Sequence, residues 1–334
     1  MLEKLCQLNG TSGNENAVRD FIIEQIKDNC TYTVDNLSNL IAEKKGLKTP
    51  LKKIMVAAHM DEVALIVNYI REDGSLSISP VGGIDPLSVM GRKVSINGIS
   101  GVIGSKAVHH LSDDEKKTPP KFKDLFIDIG SDSKKRSEKY IKLGDIAYFD
   151  SDFVRFGDDY IKGKAIDDRF GCKIMIDLIN GEISYDTTFV FTAQEEIGTR
   201  GSKAAAFSVA PDFAIVLETT TAADIPVASG EKRVCALKKG AVVSYMDRGT
   251  IYDKELYNLA FKTAEENNIP IQTKTMVAGG NDSGAIHVSG KGVRTLAISA
   301  PCRYLHSPSC VVNSADLDAC ARLAKAIIEK IGEL

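Results

Sequence analysis

Residues 54–62 read IMVAAHMDE. Five apolar residues, with β-branched Ile54 and Val56 among them, are too few for a helix and read as a strand buried on both faces. The run stops at His59, and Asp61 follows two residues later. Three further runs carry the same signature: TTFVFTAQ (187–194) ends on Glu195 and Glu196, FAIVL (213–217) on Glu218, and TLAISAPCRYL (295–305) on His306. Helical periodicity lies between and after them, near 168–179, 200–208 and 253–267. A last helix opens at Asn313/Ser314 and buries Leu317, Cys320, Ala324, Ile327, Ile328 and Ile331 before Gly332. Strands alternating with helices predict an α/β fold whose mostly parallel sheet is covered on both faces. Upstream, Ser12-x-x-Glu15 has the spacing of a capping box for a helix burying Val18, Phe21, Ile22 and Ile26. Residues 31–35 and 39–43 read as a hairpin around 36–38.

Between about 67 and 161 the texture changes. Short alternating runs (SLSIS, KVSIN, GVIGSKAV, DIAYF) are punctuated by Asp73-Gly74, Gly82-Gly83 and Asn97-Gly98. These are closely spaced strand and turn signals without an amphipathic helix. The charged stretch SDDEKKTPPK (112–121) reads as a solvated loop. The expected organisation is therefore a domain made of residues 1–66 plus 162–334, with a small β-barrel domain, 67–161, inserted into it.

A chain of 334 residues has room for two such domains, and its 43% apolar and 26% charged residues are the mix of a globular protein rather than a disordered one. The 42 basic and 45 acidic residues give a net charge of −3. Nucleic-acid binding by phosphate neutralisation calls for a basic excess or stripe, and neither is present. No apolar run is long enough to span a bilayer, and MLEKLCQLNGTSGNENAVRDF carries acidic and polar groups too early for a secretory signal. The seven cysteines are odd in number and scattered without a C-x-x-C pair, so they read as reduced thiols. A cytoplasmic enzyme or binder is expected, with no nucleic acid or membrane as partner.

In open α/β sheets, ligands bind outside the carboxyl ends of the strands. Four strand runs here end in histidine or carboxylate, and the chain has only five histidines. Asp167 and Asp168, in GKAIDDRFG just before a helix, join the set. Imidazoles mixed with carboxylates suit zinc, cobalt or manganese. Two ions about 3.5–4 Å apart need roughly five ligands with one shared, and His59, Asp167, Glu196, Glu218 and His306 supply that number, with Asp167 able to bridge. Glu195, left free beside Glu196, can take a proton from a metal-activated water. Asp61 can accept the ring N–H of His59 that does not face the metal.

Blander readings compete at several positions. His287, beside a glycine-rich turn, and His109-His110, beside the charged loop, read as ordinary non-ligand histidines. GGNDSG (279–284) lacks the spacing and lysine of a phosphate loop; its glycines let backbone pass close to the site.

The stretches AHMDE (58–62), GKAIDDR (163–169), QEEIGTRG (194–201), LETTTAADIP (217–226), GGNDSGA (279–285) and PCRYLHSP (301–308) together resemble the M42 family of metallo-aminopeptidases, which includes glutamyl and tetrahedral aminopeptidases. The resemblance runs in order over nearly the whole chain. It implies an α/β/α metallopeptidase domain of the phosphorylase/hydrolase-like kind carrying a PDZ-like β-barrel insertion. It also implies two divalent ions per subunit, zinc or cobalt first and manganese next. One ion would be held by His59, Asp167 and Glu218, the other by Asp167, Glu196 and His306. Glu195 would be the general base and acid, and Asp61 the residue behind His59. Members remove N-terminal residues from short peptides and assemble into homo-oligomeric, twelve-subunit tetrahedra. This chain departs from the family in having Ala64 where glycine is usual, Asn281 and Ser283 within GGNDSG, and Glu218 where many relatives have aspartate. Asp224, close by in sequence, is the alternative ligand to Glu218.

The expected reaction is hydrolysis of the first peptide bond by a hydroxide bridging two metals, with Glu195 moving the proton. The rivals are a di-metal carboxypeptidase or N-deacylase on the same scaffold, and a catalytically silent assembling homologue. Glycoside hydrolysis needs no pair of histidines, and the chain has no tryptophan for sugar stacking.

Overall fold

The structure is a computed structural model and describes residues 1–226 and 228–334. The chain divides into two compact units, one of Met1–Glu62, Phe153–Leu305 and Cys310–Leu334, the other of Val63–Asp152 with His306–Ser309. Strands β1 (Thr31–Val34), β2 (Leu40–Lys44) and β3 (Ile54–His59) open the first unit. The second unit contributes β4 (Ala64–Ile70), β5 (Leu76–Val81), β6 (Lys93–Ile96), β7 (Ile99–Ser105), β8 (Leu125–Asp128) and β9 (Ile146–Phe149). The chain then returns to the first with β10 (Val154–Phe156), β11 (Tyr160–Gly163), β12 (Thr187–Thr192) and β13 (Phe213–Thr221). It finishes with β14 (Ala241–Val243), β15 (Ile271–Thr273), β16 (Arg294–Cys302) and β17 (Cys310–Asn313).

In the first unit, eight strands among the described residues form one sheet in the order β1-β2-β12-β3-β13-β16-β14-β15. Its centre, β12-β3-β13-β16, is parallel, and β2 and β14 flank that centre antiparallel. Period-2 alternation explains the layers. Ile54, Val56 and Ala58 pack into a core with the helices Asn16–Ile26, Ile166–Asn180 and Ser314–Gly332. Met55 and Ala57 face the other way, against Ala205, Ala206 and Val209 of the helix Arg200–Val209 and Ile286 of Ser283–Ile286. A strand buried on both faces reads as a continuous apolar run, as IMVAA does. The parallel strands put the segments that follow β3 and β12 at one edge of the sheet.

The second unit is a closed barrel, β4-β5-β8-β7-β6-β9, filled by Leu65, Val67, Leu76, Ile78, Val94, Ile96, Ile103, Leu125, Ile127 and Phe149. The α/β/α architecture and the inserted barrel are both present. Among the described residues no helix is long and apolar enough to cross a membrane.

Three local expectations change. The compact units meet at 62/63 and 152/153 instead of 66/67 and 161/162, because β11 pairs with β10 and β17 and so groups with the first unit. The stretch 112–121 is not all loop. Ser112 and Glu115 make a reciprocal capping box on the helix Asp113–Lys117, whose acids lie in its first turn and lysines in its last. Ser12 caps nothing; Glu15 stands at the N-cap of Asn16–Ile26 without a side-chain cap bond.

Candidate metal centre

Three side chains from different elements meet above the parallel strands. His59 ends β3, Asp167 stands at the distorted start of the helix Ile166–Asn180, and Glu218 lies inside β13. The β-branched run Thr219–Thr221 carries β13 four residues beyond the apolar run that predicts it. His59 Nε2 is 3.4 Å from Asp167 Oδ1 and 3.7 Å from Glu218 Oε1, and all three residues are buried. Each offers one ligand atom, and these atoms lie within 4.8 Å of one another. Tetrahedral ligands at about 2.1 Å from zinc stand roughly 3.4 Å apart, so this spacing suits one ion.

The electrostatics also call for a cation. Burial raises the pKa of Glu218, and Asp167 beside it raises it further. Asp168, joined to Asp167 by a cis peptide bond, is fully buried, and burial and then Glu218 raise its carboxyl well above the ordinary range. Burial alone would lower the His59 pKa, but Glu218, Asp167 and Asp61 hold it well above the usual imidazole value. The cluster thus attracts positive charge. The basic side chains nearest in sequence are turned elsewhere: Arg169 donates to the carbonyls of Leu5, Leu8, Gly10 and Met60, and Lys164 to Glu62 at 2.7 and 2.9 Å. A divalent ion fits this donor set and field.

Around the cluster, His59 Nδ1 lies 2.9 Å from the Asp61 carbonyl oxygen and 3.5 Å from its carboxylate, so the carbonyl is the closer partner. The Asp61 carboxylate accepts the amides of Glu195 and Glu196 at 3.0 and 3.1 Å and the Ser12 hydroxyl at 2.5 Å. Burial would raise its pKa, but His59, Ser12 and the Glu195 amide hold it below the ordinary value. Gln194, with φ of +57°, turns the chain into this arrangement, and its amide is held by Glu15 at 3.0 Å. Glu195 is partly buried; burial first, then the charges of Glu218, Asp282 and Glu196, raise its pKa well above the ordinary value.

His306 belongs to the second unit, where its Nδ1 lies 2.8 Å from the Gly83 carbonyl. A ring that donates from Nδ1 to a carbonyl presents the Nε2 lone pair, the usual state of a ligating histidine. Asp224 is committed to Arg303 by two contacts of 2.6 and 2.9 Å and also accepts the Leu237 amide. The His287 ring lies against its own turn, with Nδ1 2.9 Å from the Ser283 carbonyl, and His109 and His110 are exposed. Ser12, Glu15 and Asp168 are the residues around the centre that strand-end reasoning leaves without a role; the Ser12–Asp61 bond spans 49 residues and leaves no local sequence signal.

A buried histidine–carboxylate cluster over the carboxyl ends of parallel strands, in an α/β/α sandwich with an inserted barrel, defines the class of metal-dependent hydrolases. The chain belongs to the M42 peptidase family: the family model described as M42 glutamyl aminopeptidase matches residues 38–323. It is an aminopeptidase, a hydrolase acting on peptide bonds, of a family that works with divalent metals. It is 31% identical over 344 residues to the lysyl aminopeptidase of Pyrococcus furiosus, covering 99% of this chain and 96% of that one. An aminopeptidase from the archaeon Desulfurococcus kamchatkensis superposes with a TM-score of 0.93 at 34% identity, over 98% of this chain and 93% of the other. The TET1 peptidase of Pyrococcus horikoshii, described as assembling into a tetrahedron or a large octahedral shell, superposes at 0.86 with 34% identity over 98% of each chain.

Proposed function

We propose that this aminopeptidase removes N-terminal residues from short peptides with the help of two divalent ions per subunit, zinc or cobalt, with manganese also compatible. The observation that carries this reading is the buried His59–Asp167–Glu218 cluster, whose excess of carboxylates suits a cation. His59, Asp167 and Glu218 would hold one ion; by the resemblance to the family, Asp167, Glu196 and His306 would hold the other, with Asp167 shared. When bound, the ions would polarise the scissile carbonyl and lower the pKa of the attacking water.

The chain's own residues do the rest. Glu195, its pKa raised, accepts the proton of the attacking water and returns it to the leaving amine nitrogen. Asp61 holds that turn through the Glu195 and Glu196 amides while its carbonyl orients the His59 ring. We assign catalysis to the domain of residues 1–66 and 162–334, which carries every proposed site residue, and assembly to the inserted barrel. The assembling relative supports a homo-oligomer, a tetrahedral dodecamer being the form expected. Seven free thiols support a reducing, cytoplasmic setting.

The test compares a short peptide bearing a free amino terminus with its N-acetylated form. Cleavage of the first bond in the free peptide alone is the expected result. Release of acetate, or of the C-terminal residue, would place the enzyme among deacylases or carboxypeptidases.

A further inference from the structure

The glycine-rich stretch GGNDSG (279–284) supplies no proposed ligand or base, yet it sends a carboxylate into the interior of the first unit. Asp282 is 1% exposed. It stands at the N-cap of Ser283–Ile286, where an aspartate ordinarily turns back onto the amides of its own first turn, and here it makes no such bond. Its Oδ2 accepts instead the hydroxyl of Thr192 at 2.5 Å, 90 residues away in sequence.

Thr192 is the joint between the two turns that carry the chemistry. It is the last residue of β12 and fully buried. Its carbonyl accepts the Met60 amide at 2.8 Å, between His59 and Asp61, and three residues later the same chain delivers Glu195. A buried carboxylate loses more in desolvation than a pair of hydroxyls, here those of Thr192 and Ser202, returns. Packing alone therefore does not explain an aspartate at this position.

We propose that Asp282 is a positioning residue: through the Thr192 hydroxyl it fixes the end of β12 and so sets Glu195 relative to His59. This rests on the proton-transfer role proposed for Glu195. Asp282 touches neither substrate nor metal in this scheme. It holds the segment from which the base projects.

The experiment measures kcat, KM and bound metal for Asp282→Ala, Asp282→Asn, Thr192→Val and the Asp282→Ala/Thr192→Val pair, using the wild-type enzyme's best amino-acyl anilide. A base displaced by a fraction of an ångström to an ångström predicts that kcat falls about ten- to a hundredfold in Asp282→Ala. KM should stay within about twofold and metal content should not change. Asp282→Asn, whose amide oxygen accepts the same hydroxyl, should recover most of the loss. Thr192→Val, near-isosteric and able to stand in if Asp282→Ala does not fold, should reproduce the loss, and the double variant should be no worse than either single one. In a Glu195→Gln background Thr192→Val should cost nothing further. A Thr192→Val enzyme with wild-type kcat, losses that multiply in the pair, or a loss carried by KM or by metal content would each overturn the proposal. A wild-type protein inactive on every substrate with a free amino terminus would overturn the aminopeptidase reading instead.

Discussion

The carbonyl of Asp61 lies 2.9 Å from Nδ1 of His59, while the Asp61 carboxylate accepts the Glu195 and Glu196 amides. One residue thereby orients the imidazole proposed to face a metal with its main chain and a pair of carboxylates with its side chain. Asp61→Ala should cost about ten- to a hundredfold in kcat and weaken metal retention, the usual range for partners of ligands. Asp61→Asn, which can turn an NH₂ toward two amides that need an acceptor, should rescue little. Steady-state kinetics with metal analysis check both variants.

Glu195→Gln keeps the shape of the turn and removes the proposed proton acceptor. The expected result is a loss of about 10²–10⁴ in kcat with both ions retained. A variant that keeps wild-type kcat would remove Glu195 from the mechanism.

Glu218 and Asp224 lie six residues apart in sequence but have different partners. Glu218 faces His59, whereas Asp224 is paired with Arg303. Glu218→Gln should release an ion and abolish activity. Asp224→Asn should leave metal content unchanged and lower thermal stability modestly, as read by a melting curve and metal analysis on the same samples.

Gly171 makes room for the helix that follows Asp167. A Cβ there would lie 2.5 and 2.7 Å from the Asp168 carboxylate oxygens and 2.9 Å from the Ala58 Cβ. Gly171→Ala should therefore destabilise the fold by about 1–3 kcal/mol through overpacking and weaken metal binding by shifting the 167–168 segment. Denaturant unfolding and metal titration report the two effects separately.

The thiols offer a pH-linked check. Cys6, Cys172, Cys235, Cys302, Cys310 and Cys320 are buried, and Cys30 is half-buried. Burial pushes the Cys6 and Cys235 thiols up to about 12, and Cys30 is also raised by burial. Because only the thiolate reacts, alkylation of the folded protein at pH 8 should start at Cys30 and leave the other six intact until unfolding. Peptide mass spectrometry identifies the modified residue.

Much of this is legible in the sequence, and the reason is local. IMVAA and FAIVL are apolar on both sides because β3 and β13 are covered on both faces, so a strand and its end can be read from five residues. The barrel shows itself by turn dipeptides and alternation. Long-range relationships do not show in that way. Ser12 and Glu15 have capping-box spacing, but Ser12 is drawn to Asp61, which needs donors for a buried carboxylate. Asp282 has the look of a helix cap and is claimed by Thr192. β10 and β11 have ordinary strand texture, and only their pairing with β17 assigns them to the first unit. Buried carboxylates pull partners from far along the chain, and sequence spacing does not record that pull.

The most direct test is to strip the protein with a chelator and then add zinc, cobalt or manganese in steps, following release of the first residue from short peptides alongside bound metal. The account predicts no activity in the stripped protein and recovery that levels off at two ions per chain, with residues leaving one at a time from the amino end. Full activity in the stripped protein, or two bound ions with no release from any free amino terminus, would contradict it.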